Sequence, residues 1–292
     1  MKYWLVGFYM CMNVIAMGQR TIEIHGHRGT RGYLPENTIP SFIRAIELGA
    51  TAIELDVVIT MDRQVVVSHE PYMSAAICLD SLGEPLKNPS KNHNIYEMTY
   101  AQVACYDCGS LPHSRFPEQA NMKVSKPLLS TVIDTVESYV KSNGIVPIVY
   151  NVEVKSDPKG DLTHHPEPEE YVALLVKLLR EKNINDHLIV QSFDTRILKE
   201  LHHQAPEITI SYLVANLKGF SENIRELGFQ PDYYTPYFKL LNKKKVKEIH
   251  AAGIKVGVWT VNAPKDIRRM IAIGVDAIIT DYPDRLFSII RQ

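Results

Sequence analysis

A chain of 292 residues, 45% hydrophobic and 22% charged, has ample length to bury a core as one domain or two, and a closed α/β barrel of roughly 250 residues would also fit. Its 32 Lys and Arg against 33 Asp and Glu give a formal charge of −1. That leaves neither the basic excess of a nucleic-acid binder nor a polybasic stretch for an anionic membrane, and the ordinary Gly and Pro content excludes collagen-like and low-complexity classes.

Residues 1–18 stand apart. Lys2 supplies one positive charge, and the run from Trp4 to Met17 is uncharged and mostly apolar. Ala16 and Gly18 are small residues at the −3 and −1 positions of a cut before Gln19, the pattern of a secretory signal peptide. The run is shorter than the ~20 residues of a spanning helix, so no stable membrane insertion is expected, and the protein is expected to be secreted or periplasmic. Cys78, Cys105 and Cys108 remain, and in an oxidising compartment one pair can bridge and leave one thiol. Cys105 and Cys108 have redox-motif spacing but do not open a helix after a strand, so a local structural disulfide or buried thiols fit better.

Beyond the leader, strand and helix alternate. Strand-like runs occupy Thr21–His27, Ala52–Ile59, Val146–Lys155, Leu188–Phe193, Ile208–Val214, Asp232–Tyr234, Ile254–Val261 and Asp276–Thr280. Helix-like runs follow at Thr38–Leu48, Leu129–Lys141, Glu169–Glu181, Asp194–His203, Phe220–Leu227, Asn242–Ala252, Pro264–Ile273 and Pro283–Ile290. Eight such pairs are the count of a (β/α)8 TIM barrel, and no Gly-rich loop after Ile24 favours a dinucleotide-binding open sheet. An extra run, Val65–His69, reads as the return arm of a hairpin extending the second strand. Residues 71–127 lack strong periodicity and read as an insertion at the mouth of the barrel. Tyr96, Tyr100, Tyr106, His113 and Phe116 are its candidates to cover that mouth, with packing on the barrel flank as the alternative.

Alternate residues of a strand share a face. Glu54 and Asp56 share one face near the end of the second strand, and Ile53, Leu55 and Val57 share the other, suited to packing under helices. Glu153 pairs in the same way with Lys155, and His25 with His27. Inward carboxylates need a partner or a cation, because a bare buried charge is costly. Three of them suit one hard divalent cation, Mg2+ or Ca2+, bound through oxygen; solvated strand ends are the alternative, and no HExxH or cysteine cluster points to zinc. Imidazole titrates near neutrality, so His27 and His69 beside an acidic cation site are placed for proton transfer, while Arg28 and Lys155 can hold a phosphate. Together these groups describe cleavage of a phosphate ester.

The order of motifs is specific. His27-Arg28-Gly29, then Pro35-Glu36-Asn37-Thr38, Ser41-Phe42 and Ala45, resembles the opening signature of the glycerophosphodiester phosphodiesterase family. Glu54-Leu55-Asp56, the run from Val65 to His69, Glu153 with Lys155, Gln191-Ser192-Phe193-Asp194, Trp259-Thr260-Val261-Asn262 and Thr280-Asp281-Tyr282-Pro283 continue it, so the likeness spans about Ile24 to Pro283. The resemblance implies a (β/α)8 barrel in which Glu54, Asp56 and Glu153 hold the metal, His27 and His69 act as general acid and base, Arg28 and Lys155 bind the phosphate, and Trp259 lines the substrate pocket. Glu70 departs from it, standing where the family usually has Asp, and His25 stands where a small or apolar residue is usual; a packed core role is expected for His25. Glu36 and Asn37 are expected to cap the first helix and to orient His27.

The expected activity is metal-dependent hydrolysis of glycerophosphodiesters to sn-glycerol 3-phosphate and an alcohol, on a small-molecule substrate and without nucleic acid. The attacking group can be the neighbouring glycerol hydroxyl, through a cyclic phosphate, or water. The rival readings are a phosphodiesterase acting on intact lipids, which would need an exposed apolar lip, and a non-catalytic binding barrel.

Overall fold

The computed structural model describes residues 22–87 and 93–291, so the expected leader, residues 1–18, lies outside the described residues. In chain order the elements are β1 (Glu23–Gly26), α1 (Ile39–Glu47), β2 (Ala52–Ile59), β3 (Val65–Val67), α2 (Tyr100–Val103), α3 (Leu129–Ser142), β4 (Val149–Val154), α4 (Pro168–Lys182), β5 (Leu188–Ser192) and α5 (Thr195–Gln204). They continue with β6 (Thr209–Val214), α6 (Phe220–Leu227), β7 (Tyr233–Pro236), α7 (Lys243–Ala251), β8 (Lys255–Val258), α8 (Pro264–Ile273), β9 (Ala277–Thr280) and α9 (Pro283–Ile290). β1 pairs in parallel with both β2 and β9, which closes the sheet into an eight-stranded parallel barrel of β1, β2 and β4 to β9. A helix follows each barrel strand, giving the (β/α)8 architecture expected from the alternation. β8 stops at Val258 rather than Val261, and Trp259 beyond it lines the cavity at the mouth.

The alternation along β2 sorts its side chains as the sequence implies. Ile53, Leu55 and Val57 join one apolar core with Phe42 of α1, Ile133 of α3 and Leu175 of α4. Truncating such a residue, Leu55→Ala for instance, removes roughly 2–5 kcal/mol of stability. The barrel interior is more polar. There the buried His25 ring donates from Nε2 to Glu23 Oε2 at 3.2 Å and accepts at Nδ1 from Asn151 Nδ2 at 3.1 Å, a packed core position as expected.

The cap of α1 differs from the expectation. Thr38, not Glu36 or Asn37, is the N-cap, and its hydroxyl accepts from the Ser41 amide. Asn37 is instead held at φ +58°, in a left-handed conformation that directs its amide to the site.

β3 returns antiparallel to the far end of β2, forming the expected hairpin. The segment that follows builds a second, smaller core in which Met73, Cys78, Ile95, Val103 and Cys108 pack on Val58 and Val66 of that hairpin. Cys78 and Cys108 are disulfide-bonded, while Cys105 is free and exposed. Three of the tyrosines expected to cover the mouth are taken up in this flank. Tyr96 packs on the main core under Arg63, Tyr100 packs on the second core, and the Tyr106 hydroxyl meets His93 Nδ1 at 3.0 Å. They turn away because the apolar hairpin face gives them more surface to bury than the polar mouth does.

Candidate active site

The C-terminal ends of β1, β2 and β4 stand side by side, and the site is built on them. Asp56 and Glu153 are register neighbours across β2 and β4. Glu54, Asp56 and Glu153 are buried, and each offers an oxygen within 4.8 Å of the others.

The backbone after β1 is shaped to reach them. Arg28 adopts φ +52° and Gly29 +87°, and a Cβ at Gly29 would meet Ser41 Oγ at 2.5 Å. A left-handed Arg is strained, and such strain collects at functional positions. Here it aims the Arg28 amide at Glu54 Oε2, 2.9 Å away. Gln191 at the end of β5 donates to the other Glu54 oxygen at 3.1 Å. Asn37 donates to Asp56 Oδ2 at 2.9 Å and accepts from the Asp56 amide. Arg28 stands 3.3 Å from Asp56 and donates to Glu36 at 2.8 Å, and Lys155 donates to Glu153 at 2.6 Å.

The electrostatics mark the cluster as short of positive charge. Burial, then the charges of Asp56 and Glu153, pushes Glu54 well above the usual carboxylate range. Burial also raises Glu153, with Asp56 adding to the rise and Lys155 opposing it. Asp56 feels the same burial, but Arg28, His69, Lys155 and the Asn37 hydrogen bond outweigh it and hold it below its ordinary value. Asp56 Oδ1 is buried without a hydrogen-bond partner. Three converging carboxylates, two of them driven toward protonation and the third presenting an orphaned oxygen, fit a hard divalent cation.

The two candidate imidazoles line the same cavity of about 370 Å3 together with Arg28, Glu54, Glu153 and Lys155. His27 Nδ1 meets Asp281 Oδ1, just past β9, at 2.7 Å, and Asp281 is in turn held by Arg31 at 2.9 Å and Asn262 at 2.6 Å. Burial, then the charge of Arg31, lowers His27 from 6.5 to about 4 despite Asp281, so the ring is neutral at pH 7 and donates from Nδ1. The residue that orients His27 is therefore Asp281, not Glu36 or Asn37. His69 Nδ1 meets Glu70 Oε1 at 2.8 Å, so Glu70 supports the imidazole and not merely the loop. The hydrogen bond from His69 holds Glu70 below its ordinary range. On the far wall Trp259 donates from Nε1 to the Thr235 carbonyl and packs edge-on against Phe193.

Asp281, Gln191 and Arg31 have no role among the expectations from the sequence. Asp281 and Gln191 lie within runs that carry the family likeness, and each stands at the C-terminal end of a barrel strand, where barrel enzymes place functional groups. Arg31 follows the HRG motif by only two residues, and nothing in that spacing gives it an acidic partner just past β9.

A barrel mouth that gathers carboxylates between two cations and faces two imidazoles defines the class as a phosphoric diester hydrolase on a (β/α)8 barrel. Residues 27–285 match the Glycerophosphoryl diester phosphodiesterase family, and the chain belongs to that family. It is 29% identical over 268 residues to a glycerophosphodiester phosphodiesterase of Caldanaerobacter subterraneus, covering 91% of this chain and 96% of that protein. A solved structure from Silicibacter pomeroyi, provisionally named a glycerophosphoryl diester phosphodiesterase, superposes with a TM-score of 0.84 at 32% identity, over 93% of this chain and 94% of that one. An Oleispira antarctica phosphodiesterase solved with its product sn-glycerol-3-phosphate shares the fold, with a TM-score of 0.74 at 24% identity over 92% of this chain and 97% of that one. Among the described residues no helix is long and apolar enough to cross a membrane.

Proposed function

We propose that this chain hydrolyses glycerophosphodiesters to sn-glycerol 3-phosphate and an alcohol, with one divalent cation, Mg2+ or Ca2+, held by Glu54, Asp56 and Glu153. The observation that carries the reading is the buried carboxylate triad with its orphaned Asp56 oxygen, whose members Glu54 and Glu153 line the same cavity as His27 and His69. When bound, the cation supplies positive charge to the phosphoryl oxygens as negative charge builds there.

The chain's own residues do the rest. Arg28 and Lys155 face the diester and hold its phosphate by charge-assisted hydrogen bonds. The neutral His27 ring uses its Nδ1 hydrogen on Asp281, which leaves Nε2 with a lone pair. Nε2 takes the proton from the attacking hydroxyl, of glycerol or of water, and His27 is thus the base. His69, anchored by Glu70, delivers the proton to the departing alcohol. Trp259 and Phe193 give the carbon skeleton an apolar wall.

Secretion or a periplasmic location is part of this reading. It is supported by the Cys78–Cys108 bridge, which belongs to an oxidising compartment, and by the leader pattern of residues 1–18. Cell fractionation with N-terminal sequencing of the mature chain tests it; full-length protein retained in the cytosol overturns it.

The activity itself is tested by stripping the protein with a chelator, restoring Mg2+ or Ca2+, and following release of sn-glycerol 3-phosphate from glycerophosphocholine and glycerophosphoethanolamine. Release that requires the added ion is expected. No release with either ion from these esters or from glycerophosphoinositol overturns the reading.

A further inference from the structure

The cavity wall carries one charged side chain that the chemistry above does not use. Arg115, from the long segment between β3 and α3, lines the cavity and is exposed. The other cations of that wall are engaged: Arg28 with Glu36 and Asp56, Arg31 with Asp281 and Glu36, and Lys155 with Glu153 and Asp56. Among the described residues no carboxylate pairs with Arg115. Its acidic neighbour in sequence, Glu118, faces Arg285, and Glu70 is committed to His69.

Arg115 is also held in place. The turn from His113 to Phe116 is closed by the Phe116 amide on the His113 carbonyl at 2.9 Å, and the Arg115 amide donates to His113 Nδ1. Phe116 is buried beneath it, with the Arg31 guanidinium 4.7 Å and the Arg115 guanidinium 5.7 Å from its ring centre. Gln119 donates to the Arg31 carbonyl at 2.7 Å, and the Ala120 amide to the Tyr33 carbonyl at 2.9 Å, which ties the segment to the loop after β1. The outer wall of the cavity therefore presents an uncompensated guanidinium carried on an anchored turn, and its carboxylates belong to the cation cluster or to His69.

We propose that Arg115 is a specificity-determining residue that favours diesters whose leaving alcohol itself carries an anionic group, a phosphate above all. This rests on the phosphodiesterase reading and refines it. A phosphate on the departing alcohol would find in Arg115 a planar donor suited to two of its oxygens, free of any internal acid that it would have to displace. A quaternary ammonium in the same place would meet a like charge.

A ladder of substrates that share the glycerophosphate half tests this: glycerophosphoinositol 4-phosphate, glycerophosphoinositol and glycerophosphocholine. The quantity read is the ratio of kcat/KM for the phosphorylated inositol ester to that for the unphosphorylated one, in wild type, Arg115→Lys, Arg115→Gln and Arg115→Glu. The ratio is expected to fall about tenfold in Arg115→Gln and further in Arg115→Glu, to be largely kept in Arg115→Lys, and to shrink with added salt. Arg115→Glu should also improve glycerophosphocholine relative to glycerophosphoinositol. If wild type turns over these esters but the ratio is the same in all four proteins, the role of Arg115 is overturned while the phosphodiesterase reading stands. If wild type turns over none of them with either cation, that reading falls, and the role of Arg115 with it.

Discussion

His27 and Asp281 are 254 residues apart in the chain and 2.7 Å apart in the fold. The contact exists because β1 pairs with β9, placing the first and last barrel strands side by side with their C-terminal ends level. Asp281→Asn should therefore act on His27 rather than on substrate binding. An amide can donate to Nδ1 and stabilise the wrong tautomer, removing the lone pair from Nε2. The expected outcome is a fall in kcat on the order of 10²-fold or more with KM little changed. An unchanged kcat would remove Asp281 from the chemistry.

Alanine at His27 or at His69 should each lower kcat by roughly 10²–10⁴-fold. The double variant should lose less than the product of the two, because the acid and the base act on one proton-transfer sequence. Circular dichroism and thermal melting separate this from a packing defect: normal kcat with a lowered Tm would make either ring structural.

Glu54→Gln should weaken cation binding while making the cation-free protein more stable. Burial and two neighbouring carboxylates raise Glu54 above its ordinary value of 4.5. The folded state thus holds a proton that the unfolded state releases, and ionising Glu54 costs stability as pH rises above 4.5. The excess stability of Glu54→Gln over wild type should grow with pH above that value and close below it. Added Mg2+ or Ca2+ should raise the wild-type Tm and barely move that of the variant. Urea unfolding across pH with and without the ion reads both effects, and an equal cation shift in the two proteins would contradict the assignment.

Reducing the Cys78–Cys108 bridge, or replacing either cysteine by Ser, should loosen the segment between β3 and α3. The bridged cysteines are 30 residues apart, and a loop of that length gives about 3–4 kcal/mol in the chain-entropy picture. Faster proteolysis confined to that segment, with the barrel intact, is the expected result. Equal proteolysis of reduced and oxidised protein would show that the second core alone holds it.

Most of the barrel was legible in the sequence because its signals are local. β2 declares itself by β-branched residues and by apolar side chains at alternate positions, and α8 by a proline at its start and Gly274, at φ +89°, at its end. The carboxylate triad was legible for the same reason, since Glu54 and Asp56 need only strand periodicity to share a face. What escaped is set by closure and by competition for partners. Asn37 stands near a helix start and resembles a cap, yet Thr38 takes that position and Asp56, reached across β2, takes the Asn37 amide. Cys108 bridges Cys78 rather than the nearer Cys105 because Cys78 shares its apolar core on the hairpin, whereas Cys105 faces solvent with its thiol on the Ala101 carbonyl. No periodicity encodes such choices.

The pairing of β1 with β9 also fixes when the enzyme can first work. A chain emerging from its N-terminus makes Arg28, Glu54 and Asp56 early and Glu153 later, and Asp281 comes only after every other barrel strand. Until that final strand docks, His27 has no partner on its Nδ1 and the barrel retains an open edge. Catalytic competence thus waits on the ninth strand, and a molecule truncated before β9 would keep His27 and the three carboxylates but lose the partner that sets the tautomer of the base.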